Sequence, residues 1–524
     1  MIPSRTWRPA SPSSRPATPS VDGPNDHTGH RRGTRRRAAS AALAAGALLA
    51  SGVALAPGAE ALDVVVVTTT TDGVPGSLRD AVDIANSDAD DTQIVLAAGA
   101  TYQLTACGPD EDGNLSGDLD HVVPEGLRIV GNGATIEQTC PGQRVLHQTV
   151  AGTLVVADVT ITGGDATGDG GGLLTTNGSS VQIMGSTFAG NQAVGSGGGA
   201  STPSAGGVTV SGSRFVDNAA GPGGDGGGLD ASSGGAQVAV STSAFEGNVA
   251  GVDGGGLIAS GGSANVEVTD SSFVGNVAGD DGGGHYSAGG SAVLSVTGST
   301  YAGNEAGERG GGAYLGGDGP AKALVDSTLV GNVAGVAGGG VGGGFADLAL
   351  TYVTLTDNGA PSGSAVATTG QLLPSASIFA GTGLCSVGST ASTGWSWATD
   401  ATCGLVGPGD VMDGADPALE PLADNGGPTP TRLPSFASPV VDAIPVAGCP
   451  ATTAVDQRGV ARPDGAGCDI GAVEGEAPAP PPEVTPPTST PTTPTTTPSS
   501  PGTGSGSAAT PAAEAVTATP RFTG

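Results

Sequence analysis

Through the middle of the chain, apolar and polar residues alternate in short bursts. Segments such as "VTVSGS" (208–213) and "VEVTDSS" (266–272) follow a period of two and are rich in β-branched residues. That pattern predicts short strands with one face turned inward, and it excludes the 3.6-residue period of a helix. Each burst runs into an aromatic or aliphatic residue followed three positions later by asparagine. "FAGN" ends at Asn191, "FVDN" at Asn218, "FEGN" at Asn248, "FVGN" at Asn276, "YAGN" at Asn304, "LVGN" at Asn332 and "LTDN" at Asn358. Successive asparagines are 27, 30, 28, 28, 28 and 26 residues apart, and glycine triplets starting at 170, 197, 226, 254, 282, 310 and 338 keep the same period.

A period of this length points to a solenoid. Strands rule out ankyrin and tetratricopeptide arrays, and neither a leucine-rich pattern nor a strict Gly-X-Y repeat is present. Three short strands per unit, each pairing with its counterpart one unit on, predict an all-β fold, a coiled parallel β-structure with coils about 4.8 Å apart. Identical positions then stack. Phe188, Phe215, Phe245, Phe273, Tyr301, Leu329 and Leu355 become one internal column, and the asparagines become a hydrogen-bonded ladder at a bend. The glycine triplets read as turns leading into the next strand. They are not phosphate loops, because no lysine or helix follows any of them. The repeat resembles the right-handed parallel β-helix family, in particular the "GGA…F-x-x-N" repeats of polymorphic outer-membrane proteins, over roughly residues 160–360.

A helical period appears only in "PGSLRDAVDIANS" (Pro75 to Ser87). Ser77 stands as N-cap with Asp80 three residues on, and Leu78, Ala81, Val82 and Ala85 form one apolar face. The strand-like "TQIVLAAGATYQLT" follows. This segment resembles the "GSLR-x-A" opening of many secreted β-helix proteins, which implies a cap over the first coil. The cysteine usual before "SLR" is Gly76 here, so no disulfide forms at that point. Near the other end, "DNGGPTPTRLPSFASPVVDAIP" (Asp424 to Pro445) and "DQRGVARPDGAGCDIGAVEGE" (Asp456 to Glu476) resemble the choice-of-anchor Q domain of bacterial surface β-helix proteins. The resemblance implies that this module ties the last coils together, with Arg458 and Arg462 pairing Asp442 or Asp469.

Composition sharpens the picture. Among 524 residues there are 95 glycines, only 13% charged residues and a formal net charge of −31. Arginines crowd the front: "RRGTRRR" (Arg31 to Arg37) precedes the apolar "AASAALAAGALLASGVALA" and the small residues Ala59 and Ala61. This predicts an export signal cleaved after Ala61, by the general or the twin-arginine route, and a mature chain with no stable membrane span. Beyond residue 61 there remain 10 basic and 46 acidic residues. Such a polyanion repels nucleic acid and anionic lipid, so neither is expected as a partner. Six cysteines fall in three sequence-neighbouring couples, which in an exported chain favours the disulfides Cys107–Cys140, Cys385–Cys403 and Cys449–Cys468. No Cys-x-x-Cys or Cys/His cluster points to zinc. The tail is Pro/Thr-rich and reads as a disordered spacer, and the terminal "PRFTG" shares only Thr523 and Gly524 securely with a sortase motif. The expected organisation is an export segment over 1–61, a cap and first coils over 62–150, the repeat over 151–360, last coils and C-terminal module over 361–476, and the tail over 477–524.

Candidate chemistry is sparse. Asp280, Asp281 and His285 in "GDDGGGH" offer the acids and base of a glycoside hydrolase, which needs two positioned carboxylates. Yet aspartate precedes the triplet in several units (Asp169, Asp225, Asp253, Asp281), so Asp281 reads first as a repeat feature. Stacked, these four acids would either hold calcium or form a solvated acidic turn, the reading preferred here. For a lyase base the repeats offer Arg214, Arg309 and Lys322, and His121, His147 and His285 sit in no nucleophile motif. The expectation is an exported, monomeric, non-enzymatic β-helix protein at the cell surface or outside the cell, contacting carbohydrate or protein. The competing expectation is a polysaccharide lyase or hydrolase.

Overall fold

The computed structural model describes residues 62–475 apart from positions 110, 204, 233–236, 262–264, 290–292, 318 and 452. The expected export segment over 1–61 and the expected tail over 477–524 lie outside the described residues. From residue 63 the chain winds into a right-handed parallel β-solenoid of about 11 turns, with about 28 residues per turn. One coil shows the design: strands Leu257–Ser260, Asn265–Thr269, Ser272–Val274 and Val277–Ala278 follow in order. Each pairs in parallel with its counterpart one coil on, Leu257 with His285, Val266 with Leu294, Phe273 with Tyr301 and Val277 with Glu305. Period-two alternation does what it should. Val266 and Val268 are buried while Glu267 between them faces out.

The interior is a stack of like on like. Phe188, Phe215, Phe245 and Phe273 are each 0% exposed, and their rings lie 5.0, 4.9 and 4.9 Å apart and nearly parallel. The coil rise imposes this face-to-face geometry, which aromatic pairs do not prefer in isolation. Burial outweighs that preference, since truncating a buried phenylalanine costs about 3–5 kcal/mol. At the bend, each asparagine side-chain oxygen accepts from the preceding coil's asparagine. Asn276 Oδ1 takes the Asn248 backbone N–H at 3.0 Å and its Nδ2 at 2.9 Å, while Asn276 Nδ2 donates to Phe245 O at 2.9 Å. A second ladder stands two residues before the aromatic column. The backbone N–H groups of Ser186, Ser213, Ser243, Ser271 and Ser299 each donate to the next coil's serine hydroxyl at 3.2 Å.

The glycine triplet is a corner in which each glycine has its own reason. Gly254 has φ +66°, a left-handed conformation that side chains resist. A Cβ on Gly255 would lie 2.3 Å from Gly283 O, and one on Gly256 would lie 2.5 Å from Gly284 O. Neighbouring corners are therefore packed backbone on backbone.

The helix α1 spans Leu78–Ser87. Ser77 Oγ accepts the Asp80 N–H at 3.1 Å, Asp80 in turn accepts the Gly76 N–H at 2.7 Å, and Leu78, Ala81, Val82 and Ala85 are buried against the first coils. All three disulfides join the couples expected from the sequence, Cys107–Cys140, Cys385–Cys403 and Cys449–Cys468.

The C-terminal segment does not simply extend the stack. It folds back along the flank of earlier coils. Thr429 Oγ1 donates to Gly298 O, Arg432 reaches Thr356, and Gln457 bonds Thr300, Thr328 and Thr429 from a buried position. The arginines find partners other than those expected. Arg458 pairs Asp456 at 2.8 Å. Arg462 lies between Asp326 of the solenoid, 3.1 Å away, and Glu474, with its guanidinium 3.8 Å from the centroid of the Tyr352 ring. Asp442 and Asp469 instead receive backbone N–H groups, from Gly467 and from Asp442 and Gly475. Short carboxylates near tight turns reach backbone first, which leaves the long arginines to span the gap to the solenoid.

Candidate functional site

One depression on the solenoid lies on the outward side of the strands that follow the glycine corners. Register places Ile258, Tyr286, Tyr314, Gly342, Ala367 and Ser386 at one position on six successive coils. Tyr286 and Tyr314 stack with ring centroids 5.1 Å apart. One coil further the column drops to glycine and alanine, and this change of side-chain height opens a groove of about 400 Å³. Arg309, Gly342, Gly343, Ala367, Thr368 and Ser386 help to line it.

Arg309 is fixed at its rim. Its Nε and Nη2 donate to the two oxygens of Asp281 at 3.2 and 2.8 Å, and its guanidinium stands 5.0 Å from the Tyr314 ring centroid. Partial burial opposes its charge, but Asp281 more than offsets that and raises the Arg309 pKa above its ordinary value. Burial, with Asp253 and Asp281, likewise raises Tyr286. Neither group is set up to take a proton near neutral pH. Among the described residues no Asp or Glu lines the groove.

The residues singled out for catalysis are not brought together. Asp280 is exposed and Asp281 is committed to Arg309, while His285 points into the core. His285 is 0% exposed, stacks on Phe273 at 5.9 Å and lies 3.4 Å from the Tyr301 hydroxyl, and burial pushes its pKa down to about 3. It packs as a neutral aromatic side chain.

The acidic column behaves as a ladder. Asp169 Oδ1 accepts the Ser196 N–H at 2.8 Å, Ser196 Oγ accepts from Asp225 at 3.1 Å, Asp225 Oδ1 from Asp253 at 3.1 Å, Asp253 Oδ1 from Asp281 at 3.0 Å and Asp281 Oδ1 from Arg309 at 3.0 Å. One oxygen of each acid thus serves a backbone N–H, and Arg309 closes the series as a cation. Burial and the charges of Asp281, Asp225 and Asp280 lift Asp253 to about 6. These contacts lessen the like-charge repulsion along the column, for which calcium was the less favoured of the two readings.

A second depression, of about 550 Å³, borders the C-terminal segment near Arg458, Asp464 and Glu474. Glu474 is spent within the fold, on Arg462 and on the N–H groups of Asp464 and Asp469. Tyr286 and Tyr314, which shape the groove, were passed over in the sequence. Their signal was there: each lies four residues after the first glycine of its triplet, at positions 282 and 310.

Residues 144–334 match the family model described as right handed beta helix region. With the coil register, this defines the class as a right-handed β-helix repeat protein. Comparison with curated proteins finds no match, and comparison with solved structures finds none either.

Proposed function

We propose that this is an exported, non-enzymatic β-helix protein of the cell surface or extracellular space, which contacts carbohydrate along its lateral face. The observation that carries the reading is the groove beside Tyr314. It combines a fixed guanidinium, threonine and serine hydroxyls and a glycine–alanine floor, and among the described residues no carboxylate lines it. Hydroxyls over a small-residue floor with one cation suit a hydroxyl-rich chain bearing carboxylate or sulfate groups, which arginine recognises through paired N–H donors. The polyanionic surface elsewhere would repel such a chain, so contact concentrates at Arg309. Export rests on the basic and apolar front of the sequence, and the C-terminal module is read as an anchor-type domain from its motifs.

Among the described residues no helix is long and apolar enough to cross a membrane. The test is a glycan array with the secreted chain, paired with Arg309→Gln. Binding to acidic glycans that falls about tenfold in the variant supports the reading, since one charge-assisted contact contributes about 1.5–3 kcal/mol. Release of reducing ends or unsaturated products from a polysaccharide panel would instead establish the lyase or hydrolase reading.

A further inference from the structure

At the opposite end of the same outward register column, on the two coils before the first triplet, stand Asp120 and His147. They are register partners on adjacent coils. Both are buried. α1 sends Asn86 Nδ2 to Asp120 O at 2.7 Å and accepts, through Arg79 O and Asp83, the side chain of Asn114. Asn114 belongs to the loop between Leu104 and Leu119, which the Cys107–Cys140 disulfide clips to the body. Asp112, on that loop, comes down on the pair.

The three side chains present one ligand atom each to a common point. His147 Nδ1 lies 3.3 Å from Asp120 Oδ1 and 3.5 Å from Asp112 Oδ1, and all three atoms are within 4.8 Å of one another. Asp120 is 0% exposed, and its Oδ1 has no hydrogen-bond partner among the described residues. The same holds for both ring nitrogens of His147, itself 8% exposed. A buried carboxylate oxygen left without a donor is costly. Neither short contact is a hydrogen bond, and the three ligand atoms converge on one another. The distances have a natural reading. Around a tetrahedral ion with legs of about 2.0–2.2 Å, neighbouring ligand atoms stand about 3.3–3.6 Å apart.

We propose that Asp112, Asp120 and His147 bind one divalent transition-metal ion of the zinc class. An imidazole nitrogen with two carboxylates selects such an ion over calcium or magnesium, which take oxygen-only sets of higher coordination number. Two ligands come from the solenoid wall and the third from the clipped loop, whose Asp112 side chain is 76% exposed, so the fourth position opens to water. The ion fastens this loop, and through Asn114 the helix α1, onto the first coils. The site is independent of the lateral groove.

The full chain, stripped with chelator and titrated with zinc chloride in a calorimeter, should bind one ion per chain and melt at a higher temperature when loaded. Asp112→Asn, at an exposed position, should leave the metal-free melting temperature unchanged yet weaken zinc by at least about tenfold. His147→Gln should weaken it further. Equal zinc affinity in wild type and Asp112→Asn would overturn the proposal and assign uptake to the general acidic surface. So would displacement of zinc by an equal concentration of calcium, the preference of oxygen-only ligands.

Discussion

Replacing Asn276 by alanine interrupts the ladder at its middle rung, and the cost can be worked from its bonds. Asn276 Oδ1 accepts two donors from Asn248, the backbone N–H at 3.0 Å and Nδ2 at 2.9 Å, and Asn276 is 0% exposed. Its Nδ2 donates to Phe245 O and to Asn304 Oδ1, both at 2.9 Å. Alanine strands two buried N–H donors on Asn248 and removes the donor to Phe245 O. Asn304 Oδ1 keeps the backbone N–H of residue 276, so it stays satisfied. At about 1–3 kcal/mol for each stranded buried group, partly relieved by relaxation, the loss is about 4 kcal/mol. The terminal rung sharpens the comparison. Asn358 is only partly buried and has no further asparagine beyond it, so water can reach what Asn358→Ala exposes. Urea unfolding followed by far-ultraviolet circular dichroism measures both. We expect Asn276→Ala to exceed Asn358→Ala by more than about 1 kcal/mol. Because a solenoid is stabilised coil by coil, the central variant should also show a shallower or two-step transition. A loss under about 1 kcal/mol at Asn276 would mean that the strands, and not the ladder, carry the bend.

Other outcomes follow from the same geometry. Arg462→Met leaves Asp326 and Glu474 buried without their shared guanidinium and should cost about 3–5 kcal/mol by chemical denaturation, whereas Arg214→Met at an exposed pair should cost under about 1 kcal/mol. Burial raises Asp326 and Asp469 to about 6 in the folded state, above their ordinary value of 3.8, so the folded chain binds more protons than the unfolded one between those limits. That stability is present near pH 4 and is lost as pH rises through about 6. Because buried neutral His285 works in the opposite direction over the same range, the check is the wild type against Asp326→Asn with Asp469→Asn. The wild type should lose more thermal stability from pH 5 to pH 7, and an equal or smaller loss would refute the assignment. Gly255→Ala forces a methyl group onto Gly283 O and should lower the melting temperature by several degrees, whereas Gly275→Ala meets no atom within 4 Å and has only its positive φ to overcome. Cys107→Ser with Cys140→Ser opens a 33-residue loop and should cost about 3–4 kcal/mol in a urea melt, with the largest gain in hydrogen exchange around residues 105–118.

The repeat was legible because a solenoid copies its local solution. A residue type that recurs every 28 positions must meet itself one coil on, so the phenylalanine column, the asparagine ladder and the turn role of the triplets could be read from the chain alone. The serine ladder was equally legible, two residues before each aromatic, but was overlooked. So were Tyr286 and Tyr314, whose meaning depends on the smaller residues that follow them in the column. The disulfide couples could be inferred from proximity because each closes a short loop, of 33, 18 and 19 residues.

What the chain alone did not reveal lies where contacts join residues far apart in sequence or facing opposite ways. "GDDGGGH" suggested a catalytic cluster, but a coil corner turns Asp280 to solvent and His285 to the core within five residues. The partners of Arg462 could not be read from its own motif, because Asp326 lies 136 positions away and reaches it only when the C-terminal segment folds back on the solenoid. Asp112, Asp120 and His147 carry no recognisable spacing, since one comes from a loop and the others meet through a coil that lacks the triplet marker. Periodicity determined the fold, because strand pairing repeats a local rule. Tertiary structure decided the sites, because burial and charge pairing depend on which distant segment covers each outward face.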